Sequence, residues 1–261
     1  MTRLADAGFI DLGEARLEYR LWGPPPGAAP TLALLHEGLG CVGAWGEFPE
    51  RLAAATGCGI FAYSRAGYGG SSPIALPRPL DYMQREAVET LPRVLDAIGF
   101  ERGALIGHSD GASIAAVHAG AARDARIRAV SLIAPHFIVE DITVAAIERA
   151  RAAYETGGLR AKLACWHANV DIAFRGWNDA WLDPKFRAFD ISGYLAGVAA
   201  PMQIIQGAMD PYGSERQIDI ARAALRAPPD VASLPGIGHA PHREALAATL
   251  EAIRRFALPL L

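Results

Sequence analysis

Apolar and polar positions along this chain follow two alternating rhythms. Residues 14–20 alternate polar and apolar, the two-residue period of a half-exposed strand. Residues 31–35 form a short unbroken apolar run, which suits a parallel strand covered on both faces. Residues 59–63, 104–106, 129–134 and 202–206 repeat that run. Between these lie stretches with helical spacing: 48–55, 80–98, 112–121, 216–224 and 243–256. Strands alternating with helices imply βαβ units and a mostly parallel sheet. Pro24-Pro25-Pro26-Gly27 is a turn between strands, not a domain linker.

One segment breaks the alternation. Residues 136–199 are long, mostly helical in pattern and rich in aromatic residues, from Phe137 to Tyr194. The pattern predicts a core domain of 1–135 and 200–261, with 136–199 inserted as a helical cap. Parallel strands place sites beyond their C-terminal ends, so a cap there covers the site. Trp166, Trp177 and Trp181 are spaced so that they can share one helical face, or helices joined by a turn. At least one is expected to line the pocket.

Composition narrows the class. Of 261 residues, 51% are hydrophobic and 20% charged, which excludes disorder. The 25 Lys and Arg are outnumbered by 28 Asp and Glu, so no general basic excess points to nucleic acid. No apolar run approaches the roughly 20 residues of a membrane span. Asp6 and Asp11 interrupt the N-terminus, which does not read as a signal peptide. Three cysteines, Cys41, Cys58 and Cys165, form no CxxC and suggest free thiols. A cytoplasmic protein with a small-molecule substrate is expected, without nucleic-acid or membrane partner. The sequence leaves the oligomeric state open.

The candidate chemistry centres on Gly107-His108-Ser109-Asp110-Gly111, a G-x-S-x-G. An apolar strand precedes it and an Ala-rich helix follows, the context of a nucleophile elbow. The turn is so tight that bulky residues two positions either side of Ser109 would clash. Ser109 would sit at a helix N-terminus, where N–H groups and the dipole favour negative charge.

At this point the sequence resembles the α/β-hydrolase family along essentially its whole length. The resemblance rests on five segments in order. These are His36-Glu37-Gly38-Leu39-Gly40, Ser64-Arg65-Ala66-Gly67-Tyr68-Gly69-Gly70-Ser71, the Ser109 turn, Gln206-Gly207-Ala208-Met209-Asp210 and Gly236-Ile237-Gly238-His239. It implies an α/β fold with a mostly parallel eight-stranded sheet, helices on both faces, a cap after the sixth strand and a Ser–Asp–His triad. Serine needs a base, and the base an orienting partner. The family order implies Asp210 as acid, with Asp183 and Asp190 as weaker rivals. It implies His239 as base, with His242 as rival; Pro241 suits the first turn of the last helix and places His242 inside it. The oxyanion hole would use the backbone N–H of Asp110 and that of Gly38, with Leu39 as alternate, because Glu37 stands where family loops carry glycine.

Glu37 and Asp110 therefore flank the hole, where an uncompensated carboxylate opposes an oxyanion. Either both point away, paired with Arg65 or capping the helix, or one stays protonated and helps bind a polar substrate. Among the other histidines, His36 is expected to prop the oxyanion loop, His108 to bond beneath the elbow, and His118 to pack in its helix. His136 and His167 are candidates for the pocket wall.

The implied activity is hydrolysis of a carboxylic ester or related acyl compound through an acyl-enzyme on Ser109, with no cofactor and no metal. Thioester, lactone, carbon–carbon and amide hydrolysis use the same residues, as do acyl transfer and perhydrolysis. A non-catalytic small-molecule receptor on this scaffold is the reading from a different class.

Overall fold

A computed structural model describes residues 5–261; the first four residues of the N-terminal reading lie outside the described residues. Eight strands form one sheet: β1 (Ala7–Asp11), β2 (Arg16–Trp22), β3 (Thr31–Leu35), β4 (Gly59–Tyr63), β5 (Gly103–His108), β6 (Ile127–Ile133), β7 (Met202–Gly207) and β8 (Asp230–Leu234). Their spatial order is β1-β2-β4-β3-β5-β6-β7-β8. β1 pairs with β2, and β2 with β4, antiparallel; the remaining pairs are parallel.

The unbroken apolar runs are the central strands. Every residue of β3, β4, β5 and β7 is buried, because helices cover both faces. The edge strands β1 and β8 are mostly exposed or half-buried, and they are the two that the hydrophobic pattern does not locate. The helices are α1 (Phe48–Thr56), α2 (Tyr82–Arg85), α3 (Leu91–Ala97), α4 (Asp110–Ala121), α5 (Asp141–Thr156), α6 (Leu159–Ala164), α7 (Val170–Trp181), α8 (Ser192–Leu195), α9 (Arg216–Ala224), α10 (Pro241–Glu244) and α11 (Leu246–Ala257). The helix expected over 80–98 carries one π turn, Glu86–Thr90, between α2 and α3. That expected over 243–256 is broken at Ala245, which separates α10 from α11.

Two apolar clusters sandwich the sheet. One side joins Leu17, Phe61, Leu105 and Ile114 to the helices between β6 and β7. The other joins Leu34, Ile60, Ile106 and Ile205 to α1 and α11. Four helices, α5 to α8, lie between β6 and β7, in the segment whose aromatic residues set it apart. Among the described residues no helix is long and apolar enough to cross a membrane. Cys41 and Cys58 are buried and Cys165 is exposed, all as free thiols.

Candidate active site

Ser109 sits between β5 and α4 with φ 53° and ψ −119°. A left-handed backbone at a non-glycine residue costs on the order of 1–3 kcal/mol and persists only where its surroundings enforce it. Here the Ser109 N–H donates to the Ile133 carbonyl at 2.9 Å, which ties the turn to β6. The glycines answer a steric need. A Cβ on Gly107 would collide with the Gly111 carbonyl, and one on Gly111 with the carbonyl of Leu35. Asp110 opens α4, so its N–H has no intrahelical acceptor.

His239 lies before α10 and reaches Asp210 beyond β7. Its Nδ1 is 2.9 and 2.8 Å from the two Asp210 oxygens. The Asp210 carboxylate also accepts from Gln206 Nε2 and from the Tyr212 N–H, each at 2.8 Å. Burial raises the Asp210 pKa, but the His239 hydrogen bond and charge outweigh it and the net direction is down. Among the described residues His239 Nε2 makes no hydrogen bond, and none joins it to Ser109 Oγ. Catalytic bonds are often long without substrate. His242 does not bond Asp210: it is buried in α10, its ring 4.6 Å from that of His108, 5.1 Å from that of Trp45 and 5.6 Å from that of Phe48. Asp183 begins a short 3-10 turn, where it accepts from the Lys185 N–H, and Asp190 accepts from the Ser192 N–H.

The loop after β3 is braced from below. His36 Nδ1 donates to the Glu37 carbonyl at 2.7 Å, and its Nε2 accepts from the Arg65 N–H at 3.1 Å. The buried Arg65 guanidinium donates to the carbonyls of His36 and Glu37. With those carbonyls held, the next N–H groups, Gly38 and Leu39, have no acceptor among the described residues. Trp177 packs directly on Gly38, where a Cβ would strike its indole.

Neither carboxylate pairs with Arg65, nor does either cap a helix. Glu37 turns toward His108 Nδ1, at 3.5 Å, and toward Arg243, at 3.9 Å. His108, His242 and Arg243 hold its carboxyl well below the usual range despite burial. His108 Nε2 donates to the His239 carbonyl at 2.8 Å, so its bond supports the loop that carries His239. Asp110 accepts from the Tyr82 hydroxyl and from Trp181 Nε1, the latter at 3.2 Å. Burial raises its pKa, against the pull of Arg65.

The three tryptophans part company. Trp177 and Trp181 share one face of α7, over Gly38 and Asp110 respectively. Trp166 precedes that helix, is 49% exposed, and lies against Gly43. Of the two arrangements that the spacing allows, a single helix is excluded, because a turn between α6 and α7 separates Trp166 from Trp177 and Trp181. His136 is buried beside Trp181 and His239, its ring centre 5.4 and 5.6 Å from theirs. Its Nε2 donates to the Tyr212 carbonyl at 3.2 Å, Nδ1 has no partner, and burial lowers its pKa to about 4. His167 ties the segment between β6 and β7 to the loops after β3 and β4: Nδ1 accepts from the Gly69 N–H at 2.9 Å, and Nε2 donates to the Leu39 carbonyl at 3.0 Å. His118 donates to the Ala87 carbonyl from within α4.

Tyr82, Tyr212 and Gln206 contact the proposed catalytic aspartate or Asp110, and no motif marks them for that role. Only Gln206 stands in a family-like segment, as the end of a strand. No group of His, Cys, Asp and Glu with metal-holding geometry occurs among the described residues.

The comparisons agree with this architecture. The family model for the alpha/beta hydrolase fold matches residues 30–152. A hydrolase from Pseudomonas aeruginosa PA01 superposes with a TM-score of 0.75 at 20% identity, over 96% of this chain and 98% of its own. VinJ does so with 0.77 at 19%, over 98% and 99%. The enol-lactonase from Burkholderia xenovorans LB400 does so with 0.72 at 16%, over 95% and 99%. No curated protein matches the chain in sequence. The chain therefore has the α/β-hydrolase fold, and residues 30–152 match that family's model.

Proposed function

We propose that this protein is a serine hydrolase of a carboxylic ester or related acyl compound, working through an acyl-enzyme on Ser109. The observation that carries the reading is His239 Nδ1 held by the buried Asp210 carboxylate, with Ser109 on the strained turn between β5 and α4. Asp210 fixes the imidazole tautomer, which leaves Nε2 to take the serine proton. The serine oxygen attacks the acyl carbon. The oxyanion is met by the N–H of Asp110 and that of Gly38 or Leu39. His239 then returns the proton to the leaving group, and water, activated the same way, releases the acid.

In this reading residues 136–199 act as a cap. Trp177 and Trp181 on α7 form its inner wall, His136 lies beside the base, and the exposed Trp166 stands at the rim. Lactones and thioesters belong to the same acyl class, and these residues do not choose among them. A receptor without catalysis would have no use for a carboxylate-held imidazole or for a strained serine turn.

A fluorophosphonate should label the protein once, on the peptide bearing Ser109. Ser109→Ala should abolish the label and lower p-nitrophenyl ester turnover by about 10³-fold or more. Labelling that persists in the variant sinks the assignment.

A further inference from the structure

Charged and hydroxyl groups that this mechanism does not use converge on Tyr68. Its ring is fully buried in the turn after β4. The Arg65 guanidinium carbon lies 5.1 Å from the ring centre and that of Arg78 lies 4.8 Å. Three polar atoms here are buried without a hydrogen-bond partner: Arg65 Nε, Tyr68 Oη and Arg78 Nε. An unsatisfied buried donor costs about 1–3 kcal/mol, and more on a charged group. Three around one ring are a demanding arrangement for a wall that only packs.

Arg78 is the cation with capacity to spare. Arg65 spends both terminal nitrogens on the carbonyls of His36 and Glu37. Arg78 makes one long bond, from Nη2 to the Ala66 carbonyl at 3.3 Å, and joins no ion pair among the described residues. It is half-buried and lies 5.1 Å from the centre of the Tyr82 ring, whose hydroxyl bonds Asp110 beside Ser109. On the other side it meets α7, where a Cβ on Gly176 would come within 3.0 Å of Arg78 Nε. The guanidinium therefore stands between core and α7, one tyrosine ring from the residue after the nucleophile.

The anions nearby do not claim it. Asp110 is bonded by Tyr82 and Trp181, and Glu86 by the Tyr63 hydroxyl at 2.6 Å. Burial raises both carboxyls above their ordinary values even beside Arg65. A planar guanidinium with free N–H groups is suited to a carboxylate, which it can grip with two parallel bonds.

We propose that Arg78, with the Tyr68 hydroxyl, binds a carboxylate carried by the substrate, so that the acyl compounds taken are acidic ones with a second, ionised carboxyl group. The proposal rests on the serine-hydrolase reading and names the substrate class of that site.

The test compares two p-nitrophenyl esters of equal acyl length, the neutral valerate and the glutarate monoester with its terminal carboxylate. The wild type should favour the glutarate in kcat/KM by about tenfold or more. Arg78→Gln should cut that preference by about tenfold or more, chiefly through KM, because a charge partner is lost in a shielded place. Arg78→Lys should recover part of it, since the charge stays and the fork does not. A wild type that prefers valerate, or a ratio unchanged in Arg78→Gln, overturns the subsite. If neither ester is turned over, the hydrolase reading fails instead. Calorimetric titration with glutarate then decides the subsite: heat in the wild type that Arg78→Gln lacks supports it, and no heat in the wild type overturns it. Should Arg78→Gln not fold, the wild-type ratio and Arg78→Lys decide the question in the same way.

Discussion

Asp110, next to Ser109 in the chain, and Asp210, beyond β7, are two buried aspartates whose surroundings push them in opposite directions. Asp210 accepts from an imidazole, an amide side chain and a backbone N–H. Burial opposes its charge, but the bond to His239 prevails and its pKa falls. Asp110 accepts from a phenol and an indole, both neutral. Burial prevails there and its pKa rises, although Arg65 pulls the other way. A carboxylate bonded directly to a base is kept charged; one bonded to neutral donors is kept only in place. In the proposed mechanism the first serves proton transfer, while the second ties α2 and α7 to the start of α4.

The same isosteric change should separate them most widely. Asp210→Asn would present an amide to His239 Nδ1 and favour the wrong tautomer, with an expected loss of about 10⁴-fold in turnover. His239→Ala should lose about 10³-fold, while His242→Ala, whose ring packs on Trp45 and Phe48, stays within about tenfold. Steady-state ester assays check all three. An active His239→Ala, or an inactive but folded His242→Ala, would move the base.

The Asp110 side should show its structural character in stability. Trp181 is buried and bonds both Asp110 and Tyr82, so Trp181→Ala should cost about 3–5 kcal/mol in denaturant unfolding. Trp166→Ala, half exposed at the rim, should cost below about 1 kcal/mol. Equal losses would mean that the rim is as tightly packed as the elbow.

The smallest effect is expected at Asp110 itself. Asp110→Asn can still accept from Trp181 and donate to Tyr82, so turnover should stay within about tenfold. The pH dependence carries the sign. A carboxyl whose folded pKa is raised adds stability below its unfolded value, about 3.9, and loses it as pH rises through the folded value. The wild type should therefore lose ground to Asp110→Asn as pH climbs from about 4. A wild type that gains ground would show that Arg65 keeps the carboxylate charged.

Much of the frame is legible in the chain itself. The five-residue runs at 31–35 and 59–63 coincide with β3 and β4, because strands covered on both faces leave no polar position to blur their ends. Edge strands β1 and β8 escape, because each shows one face to solvent and their alternation is short. Residues 243–256 have the pattern of one continuous helix, since the break at Ala245 has neither glycine nor proline to mark it.

The site divides along a similar line. Gly107, Ser109 and Gly111 declare the elbow locally, because the turn's steric demand falls on residues two apart. Pro241 sorts His239 from His242 for a local reason too: it opens α10 and carries His242 inside. The partners of Glu37 and Asp110 are not legible in this way. Arg65 is the nearest candidate in motif terms, yet it holds carbonyls, while His108, Arg243, Tyr82 and Trp181 take the carboxylates. Tyr82 and Asp110 stand 28 positions apart in the chain, and the other three partners lie farther still from the carboxylates they meet. Side-chain bonding across such spans leaves no period or spacing in the chain. The sequence by itself therefore determined the central strands and the Ser109 turn, which follow from burial and local sterics, and the family resemblance supplied the order of the candidate groups. Only the tertiary structure decided which carboxylate meets a base and which meets an indole, because that depends on how α2, α7 and the loop before α10 pack over the ends of the strands.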